Sequence, residues 1–198
     1  PGAAQVEIVD ASVDPPSSQL VAKHGDDGFF ECIVKGRRPF RYRLRVVWED
    51  DETEEFADPY AFGSTLNEEE LEPFNRGEDP LVFRKLGGQP RVMGAVPGFA
   101  FAVWAPGAEG VSLLGAFNGW NASRHHMRRI GQTGVWEIFV PGVVSGEQYK
   151  FRVFANGSFQ DKADPFASFC EGSPGNASIT YDPGGHDWED ASWMESRR

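Results

Sequence analysis

Tyr149-Lys150-Phe151-Arg152-Val153 reads as a β-strand with one wet face, because Tyr149, Phe151 and Val153 alternate with the cations Lys150 and Arg152 at a period of two. The same pattern occurs 107 positions earlier, in Tyr42-Arg43-Leu44-Arg45-Val46. Two more segments recur in the same order, both at a spacing of 106. Gly28-Phe29-Phe30-Glu31-Cys32-Ile33-Val34-Lys35-Gly36 matches Gly134-Val135-Trp136-Glu137-Ile138-Phe139-Val140-Pro141-Gly142, and Phe56-Ala57-Asp58-Pro59-Tyr60-Ala61 matches Lys162-Ala163-Asp164-Pro165-Phe166-Ala167. Three motifs in one order at a nearly constant spacing point to two copies of one module.

Each copy divides into short strands. In the second, the candidates are Phe99–Trp104, Val111–Ala116, Gly134–Val140, Tyr149–Phe154, Ser158–Lys162 and Ser178–Tyr181. Asn118-Gly119 and Asn156-Gly157 suit tight hairpin turns, since both residue types accept positive φ. Strands spaced every 8–12 residues or so, with no convincing helix, predict an all-β chain of two tandem immunoglobulin-like β-sandwich modules. Gln5–Ala11 aligns with Gly110–Ala116, so nothing corresponds to Phe99–Trp104 and the first module is expected to lack its opening strand. The expected organisation is a degenerate first module at 1–65, a loop-like linker at 66–94 with one helical turn near Glu68–Leu71, a second module at 95–182, and a tail at 183–198. Trp188 and Trp193 in that tail suggest the start of another domain or a segment packing back.

Composition narrows the function. The chain has 198 residues, 40% of them hydrophobic, and 26 aromatics (16 Phe, 6 Trp, 4 Tyr), enough for a packed core. With 19 Lys and Arg against 30 Asp and Glu the net charge is −11, which disfavours nucleic acid as a partner, because phosphate binding rests on cationic surface. No apolar run approaches 18 residues and no secretory leader pattern opens the sequence, so neither a membrane nor export is expected. The only cysteines, Cys32 and Cys170, fit free thiols and a cytoplasmic protein better than a disulfide framework. His24, His125, His126 and His186 have no spacing with Cys or carboxylates that suits zinc, and no pair of acids stands out for glycoside chemistry. No cofactor and no active site are expected within the chain.

Five stretches together carry a family resemblance. They are Phe101-Ala102-Val103-Trp104-Ala105-Pro106, Leu114-Gly115-Ala116-Phe117-Asn118-Gly119-Trp120-Asn121, Gly134-Val135-Trp136-Glu137, Tyr149-Lys150-Phe151 and Lys162-Ala163-Asp164-Pro165. They resemble the glycogen-binding β-sandwich module that precedes the barrel in branching, debranching and trehalose-releasing enzymes of the α-amylase clan, and that occurs in the AMP-activated kinase β subunit. A degenerate copy followed by a stronger one is similar to the N-terminal region of bacterial 1,4-α-glucan (glycogen) branching enzymes, and Trp188–Met194 is similar to the lead-in to their catalytic barrel. The resemblance implies a non-catalytic segment that engages α-glucan and positions a C-terminal barrel. That barrel would move an α-1,4 chain to a 6-hydroxyl through a covalent glycosyl-enzyme.

It also implies a site. Trp120, just after the Asn-Gly pair, would offer its indole face to a glucose ring, although the residues alone favour a core Trp at a loop end. Lys150, facing away from the strand's apolar side, would donate to sugar hydroxyls, or stand as an ordinary surface lysine. Phe159 falls where the family usually has a second tryptophan, and it offers less area and no N–H donor. Asn176 falls at a polar contact. The first copy has Ala11-Ser12-Val13-Asp14-Pro15-Pro16 in place of Asn-Gly-Trp and reads as scaffold. The alternatives are a free-standing glucan-binding or kinase-scaffold module, a structural sandwich that binds no sugar, and the same region of a debranching enzyme or trehalohydrolase.

Overall fold

A computed structural model of the chain describes residues 3–10, 15–25, 28–34, 42–185 and 189–197, and its backbone divides into two compact units, Pro1–Ser64 and Thr65–Arg198. In the first, β1 (Ala3–Asp10) and β5 (Tyr42–Trp48) form the centre of an antiparallel sheet, with β2 (Ser17–Leu20) and β6 (Thr53–Ala57) at its edges. β3 (Ala22–His24) and β4 (Phe29–Glu31) form a separate ribbon. Ala11–Asp14, Lys35 and Gly36 lie outside the described residues, so the replaced turn and the end of the first repeated segment do too.

The second unit contains α1 (Glu68–Asn75), β7 (Gly87–Met93), β8 (Val96–Trp104), β9 (Gly110–Gly115), β10 (Arg128–Arg129), β11 (Val135–Pro141), β12 (Gln148–Ala155), β13 (Ser158–Lys162), β14 (Phe169–Cys170), β15 (Ser178–Ile179) and α2 (Ala191–Glu195). One sheet runs β10–β11–β8–β7. The other is built on β12: β9 pairs along one edge, β13 and then β15 share the opposite edge, and β14 lies beyond β15. The alternating residues anticipated from the sequence face each other across the sandwich. Phe99, Phe101, Val103, Trp136, Ile138 and Val140 of the first sheet pack on Val111, Leu113, Tyr149 and Phe151 of the second.

The first sheet is also covered on its other face, where Leu66, Leu71 and Leu86 pack on Ala102, Ile130 and Val135. The segment read as a loop-like linker with one helical turn near Glu68–Leu71 is more regular than that. It holds a helix started by a reciprocal cap, in which Glu70 N–H donates to Asn67 Oδ1 (2.9 Å) and Asn67 N–H to Glu70 Oε2 (3.0 Å). It also holds β7, whose glycines and Pro90 conceal any strand pattern. Proline is tolerated there because β7 is an edge strand. Gly87, at φ +87°, is needed for close approach, since a Cβ would stand 2.9 Å from the Phe166 carbonyl. The same cover buries Glu137. Its Oε1 accepts from the Thr65 N–H (3.0 Å) and hydroxyl (2.7 Å), and Arg128 Nε lies 3.6 Å from Oε2.

The repeated motifs make the same contacts in both units. Tyr42 hydroxyl donates to Asp58 Oδ2 at 2.7 Å, and Tyr149 hydroxyl to Asp164 Oδ2 at 2.6 Å. Oδ1 of each aspartate accepts the backbone N–H two residues on, from Tyr60 (2.9 Å) and Phe166 (2.8 Å). Arg45 bonds Glu55 across β5–β6, as Arg152 bonds Asp161 across β12–β13. Burial raises the pKa of the Tyr149 hydroxyl, and it raises that of the Asp164 carboxyl despite the hydrogen bonds it accepts. Cys32 is half-buried, Cys170 exposed, and both are free thiols. No helix among the described residues is long and apolar enough to cross a membrane. Trp193 and Met194 on α2 are exposed, whereas Trp188 lies outside the described residues.

The two tyrosine bonds differ in burial, since Asp164 is 5% exposed and Asp58 is half-buried. Tyr149→Phe leaves a buried carboxylate oxygen short of a donor and is expected to destabilise the chain by about 2 kcal/mol. Tyr42→Phe should cost about 1 kcal/mol or less. Urea unfolding of both variants checks the order.

Candidate functional site

A row of paired residues, Gly115–Tyr149–Ser178–Cys170, crosses the second sheet from β9 to β14. Trp120 hangs from one end of this row, its N–H donating to the Gly115 carbonyl at 2.9 Å. Asn118 holds the intervening loop. Its Oδ1 accepts the Gly115 N–H (3.0 Å), and its Nδ2 donates to the Leu113 carbonyl (2.9 Å) and lies 2.7 Å from His125 Nδ1. Asn118 is buried, so Asn118-Gly119 is a side-chain-anchored turn rather than the hairpin tip expected. Asn156-Gly157 does form a two-residue hairpin turn, joining β12 to β13 with φ of 52° and 69°. The Asn118 anchor places Trp120 at φ +59°, a left-handed conformation that a bulky residue rarely adopts, and leaves the residue 39% exposed.

Lys150 lies one position along from Tyr149 on β12, and its ammonium donates to Asn176 Oδ1. These two predicted residues are thus in contact. Glu171 organises the segment that carries Asn176. It accepts the Ala177 N–H at 2.8 Å and the Gln148 side-chain amide, and its own N–H donates to the Ala177 carbonyl at 3.0 Å.

Phe159 is elsewhere. It pairs with Phe154 beside the Asn156-Gly157 turn, four residues along β12 from Lys150, or about 13 Å at the usual strand rise. The residue is 56% exposed, but the Arg152 guanidinium lies 4.3 Å over its ring centroid. Arg152 is fixed there by a bidentate pair to Asp161, at 2.7 and 2.9 Å, whose hydrogen bonds hold the Asp161 carboxyl below its ordinary range. Sequence reasoning missed Arg152 as a neighbour of Phe159. The hairpin register, countable from the Asn-Gly turn, would have placed it on the same face. Among the described residues no group of His, Cys, Asp and Glu is arranged to hold a metal ion.

Residues 1–60 match the N-terminal domain of alpha-1,4-glucan branching enzyme GlgB, and residues 85–167 match carbohydrate-binding module 48, the isoamylase N-terminal domain. The chain is 45% identical to the 1,4-alpha-glucan branching enzyme GlgB of Rubrobacter xylanophilus, over 100% of the chain and 27% of that protein. It is 43% identical to the GlgB 2 of Xanthomonas euvesicatoria (100% and 26%) and 39% identical to the GlgB of Corynebacterium efficiens (99% and 27%). It therefore spans about a quarter of the length of these relatives. Among solved structures it is similar to a pullulanase from Anoxybacillus sp. LM18-11 complexed with maltotetraose, with a TM-score of 0.46 and 18% identity over 93% of this chain and 24% of that one, a likeness too distant to carry an argument.

The Trp120 backbone gives a prediction independent of any ligand. Trp120→Ala and Trp120→Gly remove the same indole, but only glycine relieves the left-handed strain. The glycine variant is expected to be the more stable of the two by about 0.5–1 kcal/mol. Thermal unfolding of the pair measures the difference.

Proposed function

Since the chain belongs, along its whole length, with the N-terminal region of the 1,4-alpha-glucan branching enzymes, we propose that its second unit engages α-glucan on behalf of a catalytic domain. The whole enzyme, on this reading, cleaves an α-1,4 linkage and transfers the released chain to a 6-hydroxyl in the cytoplasm. The carboxylates for that chemistry lie in a barrel beyond this segment. The first unit, which has no Asn-Gly-Trp sequence, acts as scaffold. The proposed modules are 1–65 and 95–182, with 66–94 between them and 183–198 leading toward the barrel.

One observation supports this reading above the others. An exposed Trp120 and a Lys150 that donates to Asn176 flank the Gly115–Tyr149–Ser178–Cys170 row, with Trp120 and Lys150 inside the region that matches carbohydrate-binding module 48 and Asn176 just beyond its end. The apolar face of glucose can lie on Trp120, while its hydroxyls take bonds from the ammonium and the amide. Covering one sugar face removes about 100 Å² of apolar surface from water, roughly 2–3 kcal/mol. After association entropy is subtracted, binding in the millimolar range is what remains. That suffices for a polymer with many equivalent ends, because attachment raises the effective concentration of the next contact.

The covered ring of Phe159 favours a second reading, a sandwich that binds no sugar and only supports the barrel. A titration with maltoheptaose that follows tryptophan fluorescence separates the two. A millimolar-range response in the wild type that disappears in Trp120→Ala is expected. A flat response in the wild type selects the structural reading.

A further inference from the structure

Two exposed aromatic rings that no part of the site uses stand at the other end of the Gly115–Tyr149–Ser178–Cys170 row. Phe169 is 56% exposed and Tyr181 41%, their ring centroids are 6.3 Å apart, and the ring planes are inclined by 33°. Strand alternation fixes which face they occupy. Phe169 pairs with Ile179, which pairs with Gln148, and Gln148 shares its side of β12 with Lys150, opposite the buried Tyr149. Tyr181, two residues past Ile179, reaches the same side, as its contact with Phe169 requires. The chain between the two rings carries Asn176, the Lys150 partner, and is tied down by Glu171. From β9 to β14 the row spans three strand spacings, about 14 Å.

We infer that Phe169 and Tyr181 form a second sugar platform, so that a single α-glucan chain runs across the strands from Trp120, past Lys150 and Asn176, to this aromatic pair. The inference rests on the glucan-binding reading above and replaces Phe159 as the second platform. Three features favour a glucan there. The rings supply an apolar surface for the flat side of a sugar. The ammonium of Lys150 and the amides of Gln148 and Asn176 lie between the two platforms for its hydroxyls. Phe159, by contrast, stands at the far end of β12 with one face taken by a fixed guanidinium.

The test is calorimetric titration of the 198-residue chain with maltose and with maltoheptaose. Maltose is too short to bridge the platforms. The double variant Phe169→Ala/Tyr181→Ala changes only exposed rings. It is expected to bind maltoheptaose roughly 30- to 150-fold more weakly than the wild type, corresponding to one lost stacking contact, with maltose binding unchanged within about twofold. Tyr181→Ala alone should give an intermediate loss, and Phe159→Ala less than a twofold change. If the double variant keeps wild-type affinity for maltoheptaose, or if Phe159→Ala produces the loss instead, the second platform is refuted and glucan binding by the unit stands. If neither sugar binds the wild type, the glucan-binding reading falls and this inference with it.

Discussion

The hydrogen bond from Tyr149 to Asp164 is the constraint on which the Lys150–Asn176 end of the second unit depends. The tyrosine ring belongs to the core between the sheets, so the strand carrying it cannot slip without moving Phe151 as well. Its hydroxyl fixes Asp164, whose N–H donates to Ser178 Oγ at 2.8 Å and whose Oδ1 accepts from Phe166. Ser178 in turn pairs with Tyr149 and Cys170. One buried contact thereby locates β12, β14, β15 and the segment bearing Asn176. Packing inside the sandwich determines where Lys150 meets its partner outside it.

The same contact recurs in the first unit, between Tyr42 and Asp58. Hydrogen bonds and cross-strand ion pairs that define the strands recur at matching positions, Arg45 with Glu55 and Arg152 with Asp161. The turn bearing Trp120 and its buried asparagine anchor have no sequence counterpart in the first copy. The framework and the binding surface of such a sandwich are thus separable in physical terms. The first is secured by buried bonds, the second by a few residues on a loop.

The strands were legible because Tyr149-Lys150-Phe151-Arg152-Val153 alternates and has a near copy upstream. The contact of Lys150 with Asn176 was anticipated only as family positions, since residues 26 apart carry no shared local pattern. Three features escaped for identifiable reasons. Gly87–Met93 hides an edge strand behind glycine and proline, which local propensity reads as loop. Glu137 shares its strand face with Val135 and Phe139, and the cover that buries it comes from α1 and its neighbours, which the strand itself does not locate. The exposure of Phe169 and Tyr181 is set by strand order, not by the residues beside them.

If glucan binds as proposed, the left-handed backbone at Trp120 has a kinetic consequence. An indole whose main chain is already fixed needs little rearrangement when a glucose ring settles on it, so encounter can proceed at an ordinary rate of about 10⁷ M⁻¹s⁻¹. Millimolar affinity then implies a departure roughly every 0.1 ms, against catalytic cycles that typically last about 0.1 s. A glucan held this way would be released and regrasped about a thousand times within one turnover. The strained tryptophan would act as a fast ratchet pawl that keeps the polymer near without ever immobilising it.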